Sequence, residues 1–315
     1  MSQTRVVAKK VEKVPIRERA WYKELKFTLR RIRESPLSIA GLSIIAFYVI
    51  IAILAPVLAP PRPGRDPFMI PRYGFIATPS PPSPEHPFGL AEGQYDLYYG
   101  CIWGTITAFR VGLIGVAGSL LIGVTLGAIS GYFGGLIDDI IMRITDIVYA
   151  IPGLILAMAF VVAFGVSLDN VIKALVLVGW PTYARLTRAG VLQVKQEDYV
   201  EAARAIGASN VRILLKHILP NSIYPVVIVS TLDMGSMVLT AAALSFLGVG
   251  APIGYADWGQ LIAMSRNWLI GTPENPFAYW YTYTYPGIFI FTFVLGWNLL
   301  GDAFRDILDP TLRRR

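Results

Sequence analysis

Apolar residues in this chain come in long unbroken runs rather than in the one-faced patterns of a soluble domain. The first run, 37–58, contains no charged residue. At 1.5 Å per residue it extends about 33 Å, enough for a hydrocarbon core of about 30 Å. Further runs follow at 108–132, 144–164, 171–186, 223–247 and 286–301. The pattern predicts an all-α polytopic membrane protein with six transmembrane helices. Only 165–170 separates the third run from the fourth, which predicts a tight outer turn. The segment 59–103 carries Pro60-Pro61 and Pro81-Pro82 and reads as an extracytoplasmic loop. A second outer segment, 250–285, holds Trp258, Trp268, Phe277, Tyr279, Trp280, Tyr281, Tyr283 and Tyr285. Aromatic residues next to a span are expected to form an interfacial belt. In the second run, Gly123, Gly127, Gly131 and Gly135 recur every four residues. On one continuous helix they would form a flat face for close helix packing.

A polar, basic island interrupts the apolar runs at 201–221, EAARAIGASNVRILLKHILPN. It predicts a helix over about 197–205, a break at Gly207 and a second helix from about Ser209. Glycine suits the left-handed residue that ends a helix, and serine is a good N-cap. Pro220 is expected to close the unit, because proline cannot continue a helix. Ala202, Ala203 and Ala205 are small enough to admit another surface. The arrangement suits docking with something in the cytoplasm.

Composition and charge fix the setting. Of 315 residues 54% are hydrophobic and only 16% charged, with a mean hydropathy of +0.53; a soluble domain carries about 25% charged residues. The net charge of +7 is concentrated at three places. Eleven of the 28 lysines and arginines lie from Arg5 to Arg33, six from Arg185 to Lys216 and four from Arg305 to Arg315. The positive-inside tendency then puts both termini and the island in the cytoplasm, which an even number of spans requires. The first run is too long, and starts too late, for a cleavable signal. No soluble fold presents the basic clusters to nucleic acid. Cys101 is the only cysteine and His86 and His217 the only histidines, so a cysteine- or histidine-based metal site is not expected.

The island closely resembles the EAA loop of ATP-binding-cassette (ABC) importer permeases. Glu201-Ala202-Ala203, Gly207 and Leu219-Pro220 match its spacing, with His217 in an isoleucine slot and Ile218 beside it. The resemblance extends over most of the chain to the dipeptide/oligopeptide (peptide/nickel) branch, C-type subunit. It is carried by GYFGGLIDDIIMRITD at 131–146, VGWPTYAR at 178–185, LSFLG at 244–248 and NLLGDAFRDILDPTL at 298–312. Two departures stand out: Ala241 occupies a position that is often acidic, and 275–284 looks like an insertion.

The resemblance implies a type I ABC importer transmembrane domain. Its parts would be a basic cytoplasmic segment 1–36, a first helix 37–58, the outer loop 59–103, a core permease domain 104–304 and a cytoplasmic tail 305–315. The coupling loop 197–221 would contact the ATPase through Glu201, Ala202, Ala203, Ile206, Gly207, Ile218, Leu219 and Pro220. Two ATPase subunits binding ATP and Mg, a second homologous permease, a solute-binding protein and membrane lipid are the implied partners. The implied site is the plasma membrane of a prokaryote. Peptides are the implied solute, with oligosaccharides or metal complexes as alternatives within the branch.

No G-x-x-x-x-G-K-[ST] phosphate loop occurs in the chain, so it is not expected to hydrolyse ATP by that route; the resemblance implies that separate ATPase subunits supply the energy. No catalytic residue and no cofactor of its own are expected. Asp233 lies deep in the fifth run and is the candidate translocation-path residue, because a charge at mid-span costs roughly 2.5–3.5 kcal/mol and usually faces a cavity or a partner. A structural hydrogen bond to a neighbouring helix is the alternative. Asp139, Arg143 and Asp146 share a helix face and predict a local ion-pair staple. An ion-driven secondary transporter would need charges on several spans, often with an inverted repeat; an intramembrane enzyme would need a nucleophile–base pair or an H-E-x-x-H helix. Neither pattern is present.

Overall fold

The computed structural model describes residues 35–308, and the fold is helical with long outer segments. The basic leader from Arg5 to Arg33 and the Arg313-Arg314-Arg315 tail lie outside the described residues. In chain order the elements are α1 (Pro36–Leu58), α2 (Leu97–Phe133), α3 (Gly135–Ala150), α4 (Gly153–Phe164) and α5 (Leu168–Val194). Next come α6 (Asp198–Ala205), α7 (Asn210–Ile213), a π-helical turn (Leu214–Ile218) and α8 (Leu219–Ser222). The long α9 (Tyr224–Phe246), the short α10 (Trp258–Met264) and α11 (Tyr281–Leu308) complete the described chain. The helix α2 already starts at Leu97, capped by the Asp96 carboxylate on the Tyr99 amide. The expected division at 103/104 therefore falls inside a helix.

Four helices are long and apolar enough to cross a membrane: α1, α2, α9 and α11. The third expected span is not one rod. It is α3 and α4, bent by 93° at Ile151-Pro152. A residue before proline is pushed out of helical geometry, and Ile151 is extended at φ −101°, ψ 130°. The 12 residues of α4 cover only about 18 Å. The fourth expected span lies in α5, whose 27 residues are long enough. It carries Asp169, Lys173, Arg185 and Arg188, too much charge to count by apolarity. The described chain thus has four such helices, or five with the bent pair.

The bundle is organised around α2, which packs most extensively on α5 and also meets α9, α11 and α1. Three of the four spaced glycines explain the first contact. A Cβ at Gly123 would lie 2.5 Å from the Trp180 carbonyl oxygen and one at Gly131 3.0 Å from that of Arg188; one at Gly127 would overlap the Ala184 carbonyl. Gly135 does not join this face. The helix ends at Phe133, and Gly134 and Gly135 turn the chain at φ +67° and +55°.

The outer segments fold back over the bundle. Trp258, at the start of α10, is 2% exposed and donates from Nε1 to the Cys101 carbonyl at 3.0 Å. Tyr281 is 1% exposed, and Tyr285 stacks on Phe88 at 4.1 Å between centroids. These residues are cap core rather than the expected belt; Phe277 and Trp280 are the ones left exposed.

Candidate functional site

The island 198–222 is a helix–turn–helix with a small core of its own. Where α6 ends, Gly207 is left-handed at φ +82°. Its amide bonds the Arg204 carbonyl at 3.0 Å and the Ala208 amide reaches back to Ala203 at 3.1 Å. This pair of bonds is the Schellman arrangement, which satisfies the last carbonyls of a helix and favours glycine. No atom lies within 4 Å of where a Gly207 Cβ would be, so the glycine is there for its backbone angle alone. Ser209 occupies the N-cap position of α7 without a side-chain cap bond.

Pro220 does not close the unit. The helical run continues through it to Ser222, and the chain breaks at Ile223. The π-turn ahead of the proline, in which the Leu219 amide bonds Leu214, widens the helix by one residue. That places Pro220 in the first turn of α8, where its missing N–H is harmless. The His217 carbonyl accepts from Asn221 Nδ2 at 2.7 Å and from the Tyr199 hydroxyl at 3.4 Å. The Tyr199 phenol is held above its ordinary value, by burial first and by the Glu197 charge second, so it remains a donor.

The eight expected contact residues divide into two sets. Ala203 and Ile218 point inward, 7% and 0% exposed, into a cluster with Val200, Ile213, Val191, Ala128 and Tyr132. Leu219 packs at its margin. Glu201, Ala202, Gly207 and Pro220 are exposed, and Ile206, at 87%, is the most exposed apolar side chain of the tip. Sequence reasoning missed the groups that fasten the tip to the bundle. The Tyr132 hydroxyl donates to Asn210 Oδ1 at 2.8 Å, and Lys195 Nζ donates to the Tyr132 carbonyl at 2.6 Å. The conspicuous signal is a tyrosine and a lysine at the tip-side ends of two spans.

Nearby, the acidic residues of α3 pair across to α5 rather than along their own helix. Arg188 grips Asp138 through Nε and Nη2, both at 2.6 Å, and Arg185 bonds Asp146 at 2.5 Å. Ser130 also donates to Asp138. The expected staple within α3, among Asp139, Arg143 and Asp146, is replaced by these bridges, which hold the amphipathic α3 against α5.

Asp233 sits near the middle of α9, and both roles considered for it meet there. Its Oδ2 accepts from the fully buried Tyr183 hydroxyl at 2.7 Å, joining α9 to α5. It also lines a cavity of about 390 Å³ between α4, α5 and α9, with Gly153, Leu175, Thr182, Ser236 and Met237. Small-molecule pockets span roughly 300–1,000 Å³. No group of three or more metal-ligating side chains is assembled among the described residues.

Comparison with known proteins accounts for this arrangement. Residues 123–314 match the family model described as the binding-protein-dependent transport system inner membrane component. Residues 25–72 match the N-terminal TM domain of oligopeptide transport permease C. The dipeptide transport system permease protein DppC of Alkalihalophilus pseudofirmus is 37% identical over 284 residues, covering 90% of this chain and 89% of that protein. A probable D,D-dipeptide transport system permease of Escherichia coli K12 is 39% identical, covering 89% of each. The oligopeptide transport system permease protein OppC of Bacillus subtilis is 34% identical, covering 92% and 90%. Among solved structures, a chain of the inward-facing MetNI methionine ABC transporter superposes with a TM-score of 0.52 at 19% identity, covering 67% of this chain and 97% of that one. That likeness is one of fold.

Proposed function

The chain belongs to the binding-protein-dependent transport system inner membrane components, and from that premise we propose that it is one permease subunit of an ATP-driven importer of di- or oligopeptides. The observation that carries the coupling half of this reading is the tip at 198–222. It has its own core and a glycine-defined reversal, and it displays Ile206 and Ala202 outward. A partner ATPase would take these side chains with Glu201, Gly207 and Pro220. ATP and Mg would be bound by that partner, since the chain has no phosphate loop of its own.

The remaining assembly follows from the same reading. Six spans, with the bent pair α3–α4 as the third and α5 as the fourth, would put both termini and the tip in the cytoplasm of a prokaryotic cell. A second, homologous permease would face the cavity that holds Asp233 and complete the translocation path. A solute-binding protein would deliver peptide to the outer cap.

The test is reconstitution of the chain with its paired permease, ATPases and binding protein in liposomes. ATP-dependent uptake of short peptides is expected, with no ATP hydrolysis by the purified chain alone. Uptake of oligosaccharides or metal complexes but no peptide would overturn the assignment of solute. Uptake driven by an ion gradient without ATP would overturn the mechanism.

A further inference from the structure

A hydrogen bond to Tyr183 does not account for Asp233. Asparagine would also accept that bond, more weakly, without bringing a negative charge to the middle of a span. What only a carboxylate adds is charge, and the surroundings leave that charge unanswered. Oδ2 takes the Tyr183 hydroxyl at 2.7 Å, whereas Oδ1 accepts no hydrogen bond among the described residues. No basic side chain lines the cavity; its wall is apolar, with the hydroxyls of Thr182, Ser236 and Thr240. Arg185 comes closest through an intermediary, stacking on Tyr149, whose hydroxyl bonds Thr182 at 2.8 Å. Its guanidinium is already neutralised by Asp146 at 2.5 Å.

A mid-membrane carboxylate with a free oxygen, opening on a cavity of about 390 Å³, is complementary to a cation that also donates hydrogen bonds. A primary ammonium fits that description. It can donate to Oδ1 and to neighbouring hydroxyls together, and such charge-assisted bonds are stronger than neutral ones. We infer that Asp233 is the acceptor for the ammonium group of the transported solute and sets a preference for cationic over neutral peptides. The inference rests on the importer reading above. The Tyr183 hydroxyl occupies Oδ2 and leaves Oδ1 to a ligand.

The experiment uses the reconstituted complex and three peptides that the wild-type complex carries. One has a free amino terminus and no other cation, one is its N-acetylated form, and one is N-acetylated with a lysine inside. Each variant's uptake is expressed relative to wild type for the same peptide, and all are normalised to co-purified ATPase. Asp233→Asn is expected to lower uptake of ammonium-bearing peptides by about tenfold or more, the scale of one charge-assisted hydrogen bond. The N-acetylated neutral peptide should change by less than about half that factor, and Asp233→Glu should restore the preference in part. Which of the two cationic peptides is affected tells an N-terminal from a side-chain ammonium.

Tyr183→Phe separates this role from a structural one. It breaks the same hydrogen bond but keeps the carboxylate, so the preference for cationic peptides should survive. Equal losses for all three peptides, or the same profile for Asp233→Asn and Tyr183→Phe, would overturn the inference. Failure of the wild-type complex to take up any peptide would instead overturn the peptide assignment on which the inference rests.

Discussion

The cap and the tip both interrupt the apolar runs, yet they hold together by different means. The cap is continuous with the main core. Trp258, Tyr48, Phe289 and Phe293 meet edge to face or tilted at 5.3–5.9 Å, and Trp103 Nε1 ties α2 to the Ala59 carbonyl at 2.8 Å. The tip has a separate cluster, into which the ends of α2 and α5 reach. Large aromatic burial makes the cap share the stability of the whole fold. A few small side chains let the tip keep its shape while remaining locally independent.

The sharpest way to break this contrast is in the cap. Trp258→Ala removes a nearly fully buried ring and is expected to cost about 3–5 kcal/mol, seen as a large fall in the thermal midpoint of the detergent-solubilised chain. An unchanged midpoint would mean that the cap is not part of the main cooperative unit. Next come two changes in the tip. Gly207→Val must place a branched side chain at φ +82°, a strain of about 1–3 kcal/mol, and Ala203→Trp overfills a site that is 7% exposed, at about 1–3 kcal/mol. Both should expose the tip to limited proteolysis and abolish ATPase co-purification while global unfolding barely shifts. Loss of the whole bundle in either variant would show that the tip is not independent.

Smaller effects are expected where α3 meets α5. Arg185 and Asp146 are about half exposed, at 48% and 61%, so Arg185→Ala should cost no more than about 1 kcal/mol. Arg188→Ala should cost more, because its two bonds reach a carboxylate that is 15% exposed. Equal denaturant midpoints for the two would contradict that order. The least effect on the fold should come from Ile206→Asp. At 87% exposure it should leave stability within about 0.5 kcal/mol while weakening ATPase docking, measured by pull-down. A wild-type pull-down would remove Ile206 from the contact surface.

Much of this could be read from the sequence, because long apolar runs and glycine spacing act locally. The left-handed angle at Gly207 follows from residue type, as does the close approach of Gly123 and Gly127 to α5. Three features were not legible. The break at Ile151-Pro152 lies inside an apolar run, where hydropathy is blind to direction and only the backbone restriction before proline marks the turn. Pro220 looks like a terminator until the π-turn ahead of it removes the conflict. Ala203 and Ile218 face inward because α6 and the helical run after Gly207 pack on each other, and which side of a short helix becomes core depends on its partner. Trp258 was misplaced for the same reason, since a tryptophan beside a span can serve a membrane surface or a protein core. Asp233 was visible as an anomaly, but its cavity requires α4 and α5 in place.

The length of α2 has a mechanical consequence. Its 37 residues contain no proline and extend about 55 Å, well beyond the bilayer core of about 30 Å. One end carries the Cys101 carbonyl that receives Trp258, and the other carries Tyr132, wedged into the core of the tip. With the glycine face leaving almost nothing compressible between α2 and α5, the pair is a push-rod without a joint. A displacement applied at the tip end would not be absorbed by bending along the way; it would arrive at the other end of α2 as a tilt of the cap.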